Sequence, residues 1–194
     1  MIGMELILIR HGESLGNALK GEEAVYTGRW DCDLTEKGLD QAKTLRRNPI
    51  LMGADVFFCS SLKRAIQTAR AFTDEELIID ERLQERSLGE FEGERIEDIK
   101  REPKYERYFH DPQYMKFRSD FVISAPGGES YGDVCERIRP FVKELERSAY
   151  EKAVIISHFC VIRCIAKEIL SLSEEETLSF EVRNCEPIQI KATS

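Results

Sequence analysis

The chain has 194 residues, of which 42% are hydrophobic and 33% charged, and its formal net charge at pH 7 is −8. This composition is typical of one globular domain with a substantial core, and the acidic balance argues against nucleic acid and anionic membranes as partners. No apolar run approaches the ~20 residues needed to cross a bilayer. The first residues show neither a basic leader nor a small-residue cleavage site, so we expect a cytoplasmic protein.

The cysteines and histidines predict neither a disulfide framework nor a metal site. The six cysteines include no C-x-x-C pair, and a chain of this length does not need disulfides to fold. Cys160 and Cys164 are four residues apart on one helical face, where core packing is the favoured explanation. The three histidines, His11, His110 and His158, form no short H-x-x-x-H pair, which argues against zinc.

The first predicted element is a buried strand that ends in a cation and an imidazole. Residues 6–12 read LILIRHG, so Arg10 and His11 follow four apolar residues and Gly12 comes next. In open α/β folds the carboxyl edge of the sheet is where ligands bind, and a glycine lets backbone N–H groups approach a small ligand. These features together favour a phosphate site, although an ordinary strand end with incidental polar residues is the alternative.

The next segments predict a loop, a helix and a second strand. Residues 13–33 show no period and are predicted to form a loop over the strand end. Thr35 is a predicted N-cap, and its helix should run to about residue 47 before Pro49 ends it. Residues 54–59 are a short apolar run that predicts a second buried strand.

A helix is predicted directly after this second strand. Ser60 and Ser61 are expected to cap it, and the apolar side chains of residues 62–72 recur at helical spacing. Arg64 falls in the first turn, where a cation opposes the helix macrodipole. A bound anion would favour that placement, because the helix N–H groups and the guanidinium would share it.

The middle of the chain predicts a third strand and an inserted cap. The strand covers residues 77–79, and Glu85 lies just beyond it, although a solvated surface glutamate is the simpler interpretation of that residue alone. Residues 86–128 have no clean period and are too long for a simple connection. We interpret them as a cap over the strand edge, with a short helix at 94–102 and with His110 in a structural or substrate-fringe position.

The remaining elements complete an alternating pattern. A helix is predicted over residues 130–148, a fourth buried strand over 153–157 ends on His158, and another helix follows. Two closing strands are predicted at 178–182 and 187–190. Alternating strands and helices indicate a single α/β domain with a mostly parallel sheet between helical layers, a three-layer sandwich.

Two strands thus end on a histidine, and neighbouring elements deliver two arginines and a carboxylate to the same edge. On these motifs the chain resembles the histidine phosphatase superfamily, also called the phosphoglycerate mutase-like family. The matching segments, in family order, are RHGES (10–14) with Asn17, TGRWDCDLTEKG (27–38), SSLKRAIQTA (60–69), LQERSLGEFEG (83–93), PGGES (126–130) and SHF (157–159). The resemblance implies a three-layer α/β sandwich with a cap inserted after the third strand.

The resemblance also implies catalytic roles. His11 would attack phosphorus to give a phosphohistidine, and Glu85 would protonate the leaving oxygen and then take a proton from the hydrolytic water. The phosphoryl group would be held by catalytic and phosphate-binding side chains together: Arg10, Arg64, His158, Asn17, Thr27 and Gly28. With so many fixed donors no metal or other cofactor is expected, and the expected partner is a small phosphorylated metabolite.

Departures from the family pattern bear on the reaction. Phe159 stands where members usually have glycine after the second histidine. Ser87-Leu88 replaces the His-Tyr pair that mutases typically show after the acid–base glutamate, and the chain is shorter than a typical mutase. These features favour a phosphatase over a phosphoglycerate mutase, whereas the DCD segment at 31–33 is of a kind seen in mutases. A non-catalytic binder of phosphorylated ligands is the third alternative.

The sequence does not specify the substrate. Six residues of the cap could contact a second anionic group on it, although a solvated face is the simpler interpretation of each: Arg86, Arg107, Tyr108, His110, Lys116 and Arg118. Sugar phosphates, phosphoserine, bisphosphorylated sugars and cobalamin-precursor phosphates are all left open, and so is a homodimer.

Overall fold

The computed structural model describes residues 3–191 and contains one five-stranded sheet in the order β3-β2-β4-β1-β5. Its strands are β1 (Glu5–Arg10), β2 (Val56–Cys59), β3 (Leu77–Ile79), β4 (Lys152–Ser157) and β5 (Ile188–Lys191). The first four strands are parallel, and β5 pairs antiparallel with β1. The predicted α/β class with a mostly parallel sheet is therefore confirmed.

Helices connect and flank these strands. In the described part of the chain they are α1 (Leu15–Ala18), α2 (Glu36–Lys43), α3 (Lys63–Phe72), α4 (Ile96–Arg101), α5 (Arg107–His110), α6 (Tyr131–Glu146), α7 (Phe159–Leu170) and α8 (Glu174–Ser179). Short 3₁₀ turns lie between them. No helix among the described residues combines the length and the apolar character that a bilayer crossing requires.

Both faces of the sheet are buried, which explains the uninterrupted apolar run of β1. Leu6 and Leu8 pack in a cluster with residues of α6 and α7, whereas Ile7 and Ile9 pack in a second cluster with residues of α2 and α3. Successive strand side chains point to opposite faces, so a sheet covered on both sides needs apolar residues at every position. The result is the three-layer sandwich.

Side-chain caps fix where two of these helices begin. As predicted, Thr35 caps α2, and its hydroxyl accepts from the N–H of Gly38 at 3.0 Å. Ser130 caps α6, and the carboxylate of Asp133 accepts in return from the N–H of Ser130 at 2.8 Å. Each bond satisfies a donor that the first helical turn leaves free.

The predicted strand at residues 178–182 is wrong. Residues 174–179 form α8, which Ser173 caps in a reciprocal bond with Glu176. Three acidic residues in its first turn also favour a helix there, because they complement the macrodipole. The prediction followed the apolar residues of a short segment and missed the capping signal before it. The other closing strand is present as β5.

Two further local predictions need correction. Residues 13–33 are not wholly a loop, since they contain α1 and a 3₁₀ turn at Gly21–Glu23. Ser60 and Ser61 do not cap α3, because Leu62 occupies the N-cap position without a side-chain bond. The Ser60 hydroxyl is used elsewhere, in the site described below.

The segment over residues 86–128 is built around an aromatic cluster separate from the two sheet-facing clusters. Phe91, which is fully buried, lies at its centre. Its ring centroid is 4.9 to 5.6 Å from those of four other aromatic residues, Tyr105, Tyr26, Tyr108 and Phe117. Because Tyr26 belongs to the loop after β1, this cluster ties the segment to the edge of the sheet where β1 ends.

Candidate active site

The parallel pairing of β1 with β4 brings the two strand-end histidines together. Arg10 pairs with Ser157, and the N–H of His11 donates to the carbonyl of Ser157 at 3.1 Å. The ring centroids of His11 and His158 are 5.0 Å apart, and both residues are buried. The register of the sheet therefore sets the spacing of the two imidazoles.

Hydrogen bonds on both ring nitrogens define the state of His11. Its Nε2 lies 3.3 Å from Nε of Arg64, which can only donate, so Nε2 is an acceptor. Its Nδ1 therefore carries the proton and donates to the carbonyl of Gly12 at 2.7 Å. Burial, followed by the charges of Arg64 and Arg10, holds the pKa of His11 well below its usual value. A neutral imidazole with its lone pair on Nε2 is the form that a nucleophile requires.

The guanidinium of Arg64 is fixed at the start of α3. Arg64 is 1% exposed, and it donates to the carbonyl of Gly28 at 2.7 Å and to that of Trp30 at 2.8 Å, besides its contact with His11. Gly28 has a φ of +44°, which favours glycine. Arg64 lies in the first turn of α3, as the sequence predicted, and the loop before α2 supplies the carbonyls that hold its guanidinium.

His158 is held by the serine that was predicted to cap α3. Its Nε2 lies 2.8 Å from Oγ of Ser60, and this Oγ also accepts from the N–H of Leu62. Among the described residues the Ser60 hydroxyl has no other acceptor, so we assign it as the donor to Nε2, which leaves the proton of the neutral His158 ring on Nδ1. Burial first, and then the charge of Arg64, holds the pKa of His158 well below its usual value. Both site histidines are therefore neutral at pH 7.

Two buried side-chain nitrogens in residues 3–191 have no hydrogen-bond partner, and both belong to this site. They are Nε of Arg10 and Nδ1 of His158. Buried donors are almost always paired, so a pair of free donors beside a neutral His11 indicates a place for an acceptor. A phosphoryl group, with several anionic oxygens, matches that requirement.

Glu85 lies beside these cations and completes the constellation. One carboxylate oxygen accepts from the N–H of Arg86 at 2.8 Å, and the other accepts at 3.4 Å from the N–H of Cys160 in the first turn of α7. Burial lowers the pKa of both Arg10 and Arg64, and the negative charge of Glu85 opposes this effect at each. The structure thus places the carboxylate close enough to couple to both arginines.

A cavity of about 620 Å³ opens over this cluster. Five of the predicted site residues line it: Arg10, Asn17, Thr27, Gly28 and Glu85. The other three, His11, Arg64 and His158, are buried behind that lining. The amide oxygen of Asn17 accepts from the N–H of Ser14 in the cap of α1, which fixes its side chain. All eight residues predicted for the site therefore lie in one place.

The six cap residues that could contact substrate do not all lie at the cavity. Only Arg86 and Arg118 of the six candidates line the cavity. Arg86 is buried and donates to the carbonyls of Phe117, Arg118 and Glu129, so its charge is engaged by the protein. The others are outside the lining, with Tyr108 buried in the aromatic cluster and His110 exposed on α5.

Sequence reasoning missed a network that holds the Glu85 loop. Glu129 bonds Arg29 at 3.0 Å, Arg137 at 2.8 Å and the N–H of Ser87 at 2.9 Å. Arg29 in turn donates to the carbonyl of Glu85 at 2.9 Å. The PGGES segment was recognised as a motif, but only the fold shows that its glutamate connects two arginines to the predicted acid–base residue.

A second missed residue lies next to the predicted nucleophile. The side-chain amide of Asn184 donates to the carbonyl of His11 at 2.6 Å, and the N–H of Cys185 donates to the carbonyl of Arg10 at 2.9 Å. The turn before β5 therefore holds the end of β1 from the side opposite β4. Its sequence carries no signal of this contact, because it joins positions more than 170 residues apart.

Comparison with known proteins agrees with this geometry. A family model described as histidine phosphatase superfamily, branch 1, matches residues 6–194. The chain belongs to this superfamily. The resemblance inferred from the motifs is thereby confirmed.

Its relatives in the superfamily include both mutases and phosphatases. A 2,3-bisphosphoglycerate-dependent phosphoglycerate mutase of Azorhizobium caulinodans is 32% identical, covering 94% of this chain and 89% of its own. The α-ribazole phosphatase of Shigella flexneri is similar in structure, with a TM-score of 0.81, 26% identity and coverage of 97% and 90%. A mycobacterial glucosyl-3-phosphoglycerate phosphatase has a TM-score of 0.80, 25% identity and coverage of 96% and 92%.

The buried histidines predict a loss of stability in mild acid. Folding lowers the pKa values of both histidines. Below about pH 6.5 these histidines are therefore protonated in the unfolded chain but still neutral in the folded chain. The free energy of unfolding should then fall with pH by up to about 1.4 kcal/mol per pH unit for each histidine, until the lowered pKa is reached. Urea unfolding across this range measures the slope. The double variant His11→Gln/His158→Gln should show a much shallower one, and an unchanged slope would contradict the assignment.

The Glu129 network predicts an effect on activity without contact to substrate. Glu129→Gln keeps the size of the side chain but removes the charge that Arg29 and Arg137 share. We expect kcat/KM for phosphate-ester hydrolysis to fall about tenfold, because small displacements of a catalytic group are costly. Glu168→Gln is the control, since it breaks a 3.0 Å ion pair with Arg139 outside the site. Equal losses in the two variants would refute a specific role for Glu129.

Proposed function

We propose that this protein is a metal-independent phosphatase that hydrolyses a small phosphate monoester through a phosphohistidine on His11. The observation that carries the proposal is the neutral His11 imidazole, protonated on Nδ1 and with Nε2 as acceptor, next to two buried donors that lack a partner. Membership of a superfamily of phosphatases and mutases supports the same class of chemistry.

The proposed first step transfers the phosphoryl group to His11. Arg10, Arg64 and His158 bind its non-bridging oxygens and stabilise the charge that moves onto them. Glu85 first takes a proton from solvent as the phosphate ester binds. The Nε2 lone pair then attacks phosphorus in line with the leaving oxygen, the P–O bond breaks, and Glu85 gives that proton to the leaving oxygen. In the free protein Nε2 accepts from Nε of Arg64, so a phosphate oxygen must replace Nε2 as the acceptor before attack.

The proposed second step restores the enzyme. Glu85 takes a proton from water, the water oxygen attacks phosphorus, and the P–N bond to His11 breaks to release inorganic phosphate. The arginines would supply the fixed positive charge that a metal ion supplies in other phosphatases. Within residues 3–191 no group of three or more His, Cys, Asp or Glu side chains is arranged to hold a metal.

The cavity supports a substrate that carries a second anionic group. Lys20 and Arg118 line it, and neither forms an ion pair within the described residues. The acidic Glu13 of the same lining is engaged by Lys37 at 2.8 Å. A carboxylate or second phosphate on a small metabolite would neutralise the two free cations.

The same cations favour phosphoglycerate mutase as a second candidate function. A phosphoglycerate carries both a carboxylate and a phosphate, and the mutase relative is 32% identical to this chain. A mutase retains its phosphoenzyme for return of the phosphoryl group, whereas a phosphatase passes it to water. Ser87-Leu88, in place of the His-Tyr pair of mutases, favours the phosphatase.

The proposal predicts hydrolysis that depends on His11 and not on added metal. An aryl phosphate and a set of phosphorylated metabolites, assayed in excess chelator, should release phosphate, and ³¹P NMR of the quenched enzyme should detect phosphohistidine. We expect His11→Ala to lower kcat/KM by at least about 10³-fold. His110→Ala, at an exposed histidine outside the cavity, should retain the wild-type rate.

Other outcomes of this experiment would identify the alternatives. Activity that survives His11→Ala, or that needs a divalent metal, would refute the phosphohistidine mechanism. Interconversion of the two monophosphoglycerates, dependent on a bisphosphoglycerate primer and faster than phosphate release, would indicate a mutase. Binding of phosphate esters without turnover of any of them would indicate a binding protein.

A further inference from the structure

Phe159 lies between the core of the protein and the proposed active site. It is the first residue of α7, directly after His158. Its half-buried side chain packs against the core cluster on the α6–α7 face and also lines the cavity. The ring therefore links the packing of the core to the lining of the site.

Two arginines lie against this ring. The Cζ atom of Arg10 is 5.0 Å from the ring centroid, and that of Arg163 is 4.0 Å from it. A guanidinium is attracted to the electron-rich face of an aromatic ring, and most strongly where water is excluded. Phe159 therefore contacts one cation of the proposed phosphate site and one cation outside it.

The two arginines differ in how the rest of the protein holds them. Arg163 makes two side-chain hydrogen bonds, to the carbonyl of Phe180 at 2.9 Å and to a tyrosine hydroxyl at 3.3 Å. Arg10, within the described residues, makes one at 3.3 Å to the carbonyl of Val182, and its buried Nε has none. Among residues 3–191 Arg10 also forms no ion pair within 4.0 Å, so the aromatic ring is one of its few contacts there.

The ring contacts both the well-anchored Arg163 and the less constrained Arg10. Arg163 follows Phe159 by four residues in α7, so the two side chains are neighbours on one helical face. Arg163, which its two hydrogen bonds hold in place, and the core cluster both contact the ring and restrict its movement. The guanidinium of Arg10 then packs against a ring whose movement is restricted. Its Nε has no partner among the described residues and can donate to an anion.

We propose that Phe159 is a positioning residue that fixes the Arg10 guanidinium for phosphate binding. Donors that are already ordered bind an oxyanion with a smaller loss of side-chain freedom. The inference rests on the proposed function only in taking the bound group to be phosphate. A purely space-filling role for the ring is the competing explanation, and it predicts that any apolar side chain of similar size will serve.

The test compares two substitutions at this position by their affinity for inorganic phosphate. Phe159→Leu keeps apolar bulk without the ring, and Phe159→Tyr keeps the ring. In titration calorimetry we expect the leucine variant to raise the Kd about five- to tenfold and the tyrosine variant to stay within about twofold of wild type. Phe159→Met replaces the leucine variant if that one does not fold. Phe58→Leu, at a half-buried ring of the same core cluster outside the cavity, should leave the Kd unchanged.

A double-mutant cycle separates positioning from packing. In an Arg10→Gln background, Phe159→Leu should raise the Kd no further, because no cation is left at position 10 for the ring to position. Additive effects, or a wild-type Kd in the Phe159→Leu variant, would overturn the proposal, and so would absence of phosphate binding by the wild-type protein. Phosphate binding without hydrolysis of any ester would refute the proposed function and leave the role of Phe159 standing.

Discussion

The site depends on a positive charge that is buried at the edge of the sheet. Arg64 is 1% exposed, and its partners are the neutral carbonyls of Gly28 and Trp30 and the neutral imidazole of His11. Burial of a cation without a paired anion is costly, and Glu85 offsets only part of this cost through space. A phosphate dianion would satisfy the remainder. The loop that supplies the carbonyls and the strand that supplies the imidazole thus both stabilise the buried charge of Arg64.

Signals that are local in the sequence predicted the strands and the residues at their ends. Four apolar residues before Arg10 and His11 indicate a strand buried on both faces, and the run before His158 does the same. Because parallel strands present their carboxyl ends at one edge, two such motifs must meet if the strands are neighbours. The structure makes β1 and β4 neighbours, which neither motif states, and the sheet register then fixes the 5.0 Å separation of the rings.

Features that depend on distant contacts could not be predicted in this way. Short apolar segments are ambiguous between strand and helix, so residues 178–182 predict a strand although α8, capped by Ser173, extends to Ser179. Ser60 follows a strand as a cap would, yet its hydroxyl bonds His158, 98 positions away. Glu129 reaches Arg29 across 100 positions. Such bonds exist only once the sheet and cap are assembled, so no sequence window contains them.

The hydrogen bond between His11 and Arg64 relates the resting site to the proposed reaction. It holds Nε2 of His11 as an acceptor and so keeps the proton on Nδ1, which is the tautomer needed for attack. The same bond occupies the lone pair that would attack in the proposed mechanism, so a ligand that cannot accept from Arg64 would leave this lone pair occupied. A phosphate oxygen can accept from Arg64, whereas a neutral hydroxyl or an apolar group competes poorly for a charged donor. In the proposed mechanism, attack by His11 would therefore wait for an oxyanion to bind, and phosphate would be recognised before the chemical step.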